Sequence, residues 1–201
     1  MPHAHRTSVS SLDVQVLQTA ASLENLAVAS YESVARLRAV KDGSPMLLAF
    51  ATKTRAQHAA HAKAFNAAAV RAGGKAQRAP DHRYAATVTQ ALASLTRADA
   101  GAVSAVSLLE SLEDVKAQSY ARFASLTSPA LRPLLVSVAS VEAEHRAFLL
   151  AALLLLNSGA GDLLRVPTDT GGLPSAIGSG CFPRPFYPTT GASAVDEGAV
   201  R

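Results

Sequence analysis

The chain has 201 residues, 49% of them apolar, a net charge of +4 and a single cysteine, enough for one domain with a well-buried core and too little cysteine for an intrachain disulfide. The apolar residues are mostly Ala, Leu and Val and there is no Trp, a composition that suits close-packed helices better than strands. The longest apolar run, Ala147 to Leu156, has ten residues where a membrane span needs ~20, and the opening M-P-H-A-H-R-T-S lacks the apolar segment of a secretory signal; no membrane partner and a cytoplasmic location are expected.

Residues 1–10 read as a flexible arm in which His3 and His5 are incidental, and residues 11–158 as a four-helix bundle. Ser10 or Ser11 can cap the first helix, with Asp13 in its first turn favoured by the helix dipole. It is expected to run to about Val40 and to stop at Lys41-Asp42-Gly43. Its inner stripe, Leu17, Ala21, Glu24, Val28, Tyr31 and Ala35, places Glu24 on the apolar side. The second helix is capped by Ser44, has Pro45 at its first position, and ends at Gly73-Gly74. Its stripe of Leu47, Ala51, Thr54, His58, His61, Phe65, Ala68 and Ala72 carries both histidines inward.

Between Arg36 and Arg83 stand ten Lys or Arg against only Asp42 and Asp81. Such a stretch could attract an anionic partner, but helices routinely carry these residues on a solvated outer face. No aromatic residues interleave them as a platform for single strands requires, so nucleic acid is not an expected partner. Residues 75–98 connect the two halves of the chain, with a short helix over Tyr84 to Leu95.

The third long helix is expected from about Asp99 to Leu126, with a stripe through Val106, Glu113, Ala117, Tyr120 and Ala124. The fourth follows Ser128-Pro129, although Pro133 can shift its start by a few residues. Its stripe is Leu135, Val138, Glu142, His145, Leu149, Ala152 and Leu156. Residues 159–201 hold five of the ten prolines and eight of the twelve glycines and have no helical period. They read as an irregular arm whose Phe182, Phe186 and Tyr187 pack on the bundle or on a second copy, with the last ten or so residues mobile.

An internal repeat organises these elements. Residues 22–31, S-L-E-N-L-A-V-A-S-Y, and 111–120, S-L-E-D-V-K-A-Q-S-Y, share Ser, Leu, Glu, Ser and Tyr 89 positions apart. At an offset of 84, His58 aligns with Glu142 and His61 with His145. Glu24, His58, His61, Glu113, Glu142 and His145 therefore lie on four inner stripes. This is how a bundle builds a dinuclear carboxylate and histidine site, with one Glu from each of two helices and a Glu-x-x-His from each of the others. Three buried carboxylates must be neutralised. A pair of divalent ions does this, with Fe and Mn suiting the oxygen and nitrogen set and Zn as a substitute. A metal-free network of histidines and carboxylates is the other solution. Tyr31 and Tyr120, two turns from their Glu residues, read as core packing or as hydrogen-bonding partners of the site.

Leu23-Glu24 through Tyr31, His58-x-x-His61, Leu112-Glu113 through Tyr120 and Glu142-x-x-His145 resemble the metal-site pattern of the ferritin-like superfamily, and in particular its ferritin-like domain proteins related to desiccation-associated proteins. The resemblance covers about residues 10–158 and implies an all-α bundle with a long crossover between its second and third helices. It implies Glu24 and Glu113 as carboxylate ligands, His61 and His145 as imidazole ligands, and Glu142 as a bridging carboxylate. The chain departs from the pattern at His58, where a Glu is expected; the lost negative charge leaves one metal, a different metal or none as alternatives to a diiron centre. Two functions follow. One is a redox metalloprotein that acts on oxygen, peroxide or Fe(II) in stress protection, as a homo-oligomer with a dimer as the simplest form. The other is a non-catalytic scaffold with a metal-free polar core that works through its tail or oligomer surface.

Overall fold

The computed structural model describes residues 11–97, 101–163, 185–187 and 189; the N-terminal arm, Cys181, Phe182 and the last ten residues lie outside these. In order the chain forms α1 (Ser11–Ala35), α2 (Arg38–Lys41), α3 (Pro45–Arg71), α4 (His82–Arg97), α5 (Ala102–Leu126) and α6 (Arg132–Asn157), then a 3-10 turn at Gly161–Leu163. Helices are the regular structure of the described residues. None is long and apolar enough to cross a membrane.

Two antiparallel hairpins face each other, α1 packing chiefly on α3 and α5 chiefly on α6. Both end on left-handed glycines. Gly73 (φ 83) follows α3 and Gly159 (φ 74) follows α6, and the bonds from Gly74 N to Ala69 O and from Ala160 N to Leu155 O close the last turns as a Schellman cap does. Ser44 caps α3 through its side chain and Pro45 opens the helix, as the sequence indicates. The start of α6 lies at Arg132 with Pro133 in its first turn, the shift of a few residues that Pro133 allows. Ser128 does not cap it, and its N–H is instead held at 3.0 Å by Asp13 of the other hairpin.

The first helix is also shorter than expected. It ends at Ala35, Leu37 is extended (φ −64, ψ 136), and α2 restarts the coil. The turn lets Val40 bury its side chain with Leu47 and Phe50. The crossover from α3 to α5 passes over the seam between α1 and α5, where Val88 of α4 packs with Leu26, Ala27 and Leu112. Polar side chains hold its irregular part: Asn25 donates to Gln77 O and Ala79 O, and Asn66 pairs with Gln77 in both directions. Asp81 then caps α4, accepting from the N–H groups of Arg83 and Tyr84.

Two apolar layers result. One contains Leu17, Phe65, Tyr120 and Leu135, the other Phe50, Tyr31, Leu109 and Leu149. Between them lies a polar layer. The basic stretch is outward, with Arg36, Arg38, Lys41, Lys63 and Arg71 exposed, which is the solvated-face reading. Of the tail aromatics, Phe186 packs on the first apolar layer and Tyr187 O accepts from Ser137 Oγ.

Candidate metal centre

All six residues singled out in the sequence meet in the polar layer, and Glu24, His58, His61, Glu113, Glu142 and His145 are each fully buried. Their donor atoms form two groups whose atoms lie within 4.8 Å of one another: Glu24, His58, His61 and Glu142, and His58, Glu113, Glu142 and His145. His58 and Glu142 belong to both, so each half of the repeat supplies one shared residue. His61 Nδ1 lies 2.9 Å from Glu142 Oε1 and 3.6 Å from Glu24 Oε1. His145 Nδ1 lies 3.4 Å from Glu142 Oε2 and 3.5 Å from Glu113 Oε2.

The far side of each outer imidazole is anchored to an acceptor. His61 Nε2 donates to Pro185 O, and His145 Nε2 donates to Gln57 Oε1 at 2.7 Å. In the neutral ring these bonds keep the proton on Nε2, so that Nδ1 directs its lone pair into the cluster, the orientation that a ligating histidine needs. Phe186 covers His61 from outside, ring centres 5.5 Å apart. The two tyrosines cross between repeats: Tyr31 Oη donates to Glu113 Oε1 and Tyr120 Oη to Glu24 Oε1, each at 2.6 Å. Both hydroxyls are thus partners of the carboxylates, beyond core packing. Burial first, then the facing carboxylates, holds both phenols well above their usual pKa.

One residue of the site was not anticipated. Lys116 is fully buried, with Nζ 2.8 Å from Glu142 Oε2, 3.0 Å from Glu113 Oε2 and 3.9 Å from Glu24 Oε2. It stands three residues after Glu113 and four before Tyr120, both inward, and that spacing was the available signal. Burial opposes its charge, but Glu113, Glu142 and Glu24 more than offset this and keep it cationic. Burial and the Glu142 carboxylate push Glu24 up, yet Lys116, His61 and the adjoining His58 bring it down to about 2. Glu113 and Glu142 are held below the usual carboxylate range against their burial, chiefly by Lys116. His58, opposed by burial and Lys116, is raised by Glu113 and Glu142; His61, opposed by burial, is raised by Glu24 and Glu142 to about 9.

Do these residues fit a metal? In charge the cluster closes without one, three carboxylates facing Lys116, His58 and His61. In hydrogen bonding it does not close. His58 Nδ1 is 2.9 Å from Glu24 Oε2, where it would donate, and 3.0 Å from Lys116 Nζ, where it would accept; one nitrogen cannot do both. Glu24 Oε2, His61 Nδ1, Glu113 Oε2 and Glu142 Oε1 are buried without a hydrogen bond of acceptable geometry, although ion-pair distances of 2.9 to 3.0 Å connect them to the facing groups. Proximity without alignment is the weaker statement of the two, because hydrogen bonds lose strength steeply with angle. Lone pairs converging on one buried point suit an ion, and the oxygen and nitrogen set suits Fe or Mn.

A helical-hairpin pair with carboxylates and imidazoles meeting in its middle layer defines the class of the protein as a bundle with a core site of metal-ligand type. The chain belongs to the ferritin-like domain family, whose profile matches residues 12–155. Comparison with curated proteins and with solved structures returned no match.

Proposed function

We propose that this is a ferritin-like metalloprotein that holds Fe or Mn in its core, with Glu24, His58, His61, Glu113, Glu142 and His145 as the residues available to bind it. The carrying observation is the convergence of these six buried side chains, whose donor atoms fall into two groups within 4.8 Å of one another. A bound ion of this kind supplies one-electron chemistry toward oxygen, peroxide or Fe(II). The chain's own groups prepare for it. Tyr31 and Tyr120 fix the rotamers of Glu113 and Glu24 from opposite sides, Gln57 and Pro185 set the tautomers of His145 and His61, and the apolar layers above and below exclude water. Six donors in two overlapping groups are the number that a dinuclear centre in such a bundle uses, and a role in stress protection belongs to the same proposal.

The test is metal analysis of protein expressed with Fe and Mn supplied, beside Glu24→Ala and Glu142→Ala controls. Metal retained through purification and reduced in the controls supports the reading. Protein without metal, unable to take it up after chelator treatment, contradicts it.

A second reading, a metal-free scaffold acting through its tail or oligomer surface, is favoured by one observation, the matching of three carboxylates by Lys116, His58 and His61. It predicts that His58→Glu creates metal binding that the parent lacks.

A further inference from the structure

We infer that the centre takes a single divalent transition-metal ion, on its Glu24 and His61 side, because the Lys116 ammonium occupies the place of a second. This rests on the metal-binding reading above and narrows it. The two donor groups share His58 and Glu142 and differ in how near Lys116 comes to the carboxylate that completes each. In the half completed by Glu113 and His145, Lys116 Nζ lies 2.8 Å from Glu142 Oε2 and 3.0 Å from Glu113 Oε2. From Glu24, the carboxylate that completes the other half, it stands 3.9 Å away. There the close contacts are between carboxylate and imidazole, 2.9 Å from His58 Nδ1 to Glu24 Oε2 and 2.9 Å from His61 Nδ1 to Glu142 Oε1, a pairing that a bound ion replaces. Glu142 divides itself between the two, Oε2 to the ammonium and Oε1 toward the open half.

The repeat shows the same asymmetry. The position matching Lys116 in the first half is Ala27, fully buried against α4, so a duplicated site carries a tethered cation in one half and none in the other. Lys116 cannot swing clear. Its side chain has no solvent exposure, and its ammonium is held between Glu142 Oε2 and Glu113 Oε2 at 2.8 and 3.0 Å. Charge gives the same count: once the imidazoles give up their protons to become ligands, three carboxylates and one ammonium leave two negative charges, which one divalent ion closes. A second ion would leave two positive charges uncompensated in a dry core, where unpaired charge is strongly disfavoured.

The full-length chain, stripped with chelator and titrated with Mn(II), decides this by counting bound ions per chain and by the Mn(II) electron paramagnetic resonance signal. The wild type is expected to bind one ion with an uncoupled signal, and Lys116→Met, similar in length and uncharged, to bind two with a coupled one. Glu113→Gln should keep the single ion and Glu24→Gln should lose it. Two ions in the wild type, or one in both wild type and folded Lys116→Met, overturn the inference and leave metal binding standing. No ion in the wild type overturns both. If Lys116→Met does not fold, the contrast between Glu24→Gln and Glu113→Gln decides, and equal loss in the two refutes the assignment.

Discussion

Tyr31 and Tyr120 reach across the bundle to each other's repeat, and each hydroxyl is the second support of a buried carboxylate. Removing either one, as Tyr31→Phe or Tyr120→Phe, leaves Glu113 or Glu24 short of a donor at a fully buried position. Each should cost about 1–3 kcal/mol, read by chemical denaturation. The two losses should be alike, because the two 2.6 Å bonds are alike. The buried acids and imidazoles were legible from residue type and spacing, since the repeat places them on four inner stripes. Lys116 was not. Lysine is almost never fully buried unless paired, and the stripe drawn through Ala117 passed it by one place; only the three carboxylates around it, two of them from other helices, make its burial tolerable.

At the scale of elements, caps and turns were readable where the chain marks them locally. Ser44-Pro45 and Gly73-Gly74 bound α3 as expected. Elsewhere the boundary is decided by a partner distant in sequence. Nothing local ends α1 at Ala35; the burial of Val40 turns the chain. Asp13 holds Ser128 from 115 residues away, so α6 begins later than Ser128-Pro129 suggests. Asp81 was equally hidden, lying in what read as a loop. Asp81→Ala removes the cap of α4 and should cost about 1 kcal/mol, with faster amide exchange confined to the first turn of α4. Gly74 is more severe: an added Cβ would meet Val14 Cγ1 at 2.4 Å and Ala69 O at 3.1 Å. Gly74→Ala is expected to destabilise by about 1–3 kcal/mol, as overpacking does, measured as a lowered denaturation midpoint.

For the molecule as a whole, the polar layer links stability to pH. In metal-free protein Glu24 is lowered from 4.5 to about 2, so its contribution is present above pH 4.5 and is lost as pH falls toward 2. His61 is raised from 6.5 to about 9, so its contribution is present below pH 6.5 and is lost as pH rises through 9. Linkage then places maximum stability of the metal-free chain between these ordinary values, falling on both sides; a melting-temperature profile from pH 3 to 10, an interval of roughly that span, checks it. A profile that is flat through the alkaline range would mean that His61 does not carry the charge its neighbours favour.

The central claim, that the buried acids and imidazoles form a metal centre, is tested most directly by thermal denaturation of the chelator-treated chain with and without Mn(II) in excess. A ligand that binds only the folded state at about 100 times its dissociation constant adds roughly 2.7 kcal/mol, which for a chain of this size is a rise of roughly 5–11 °C in melting temperature. That rise is the expected result, and it should vanish in Glu24→Gln. An unchanged melting temperature at saturating Mn(II) and Fe(II) alike would contradict it.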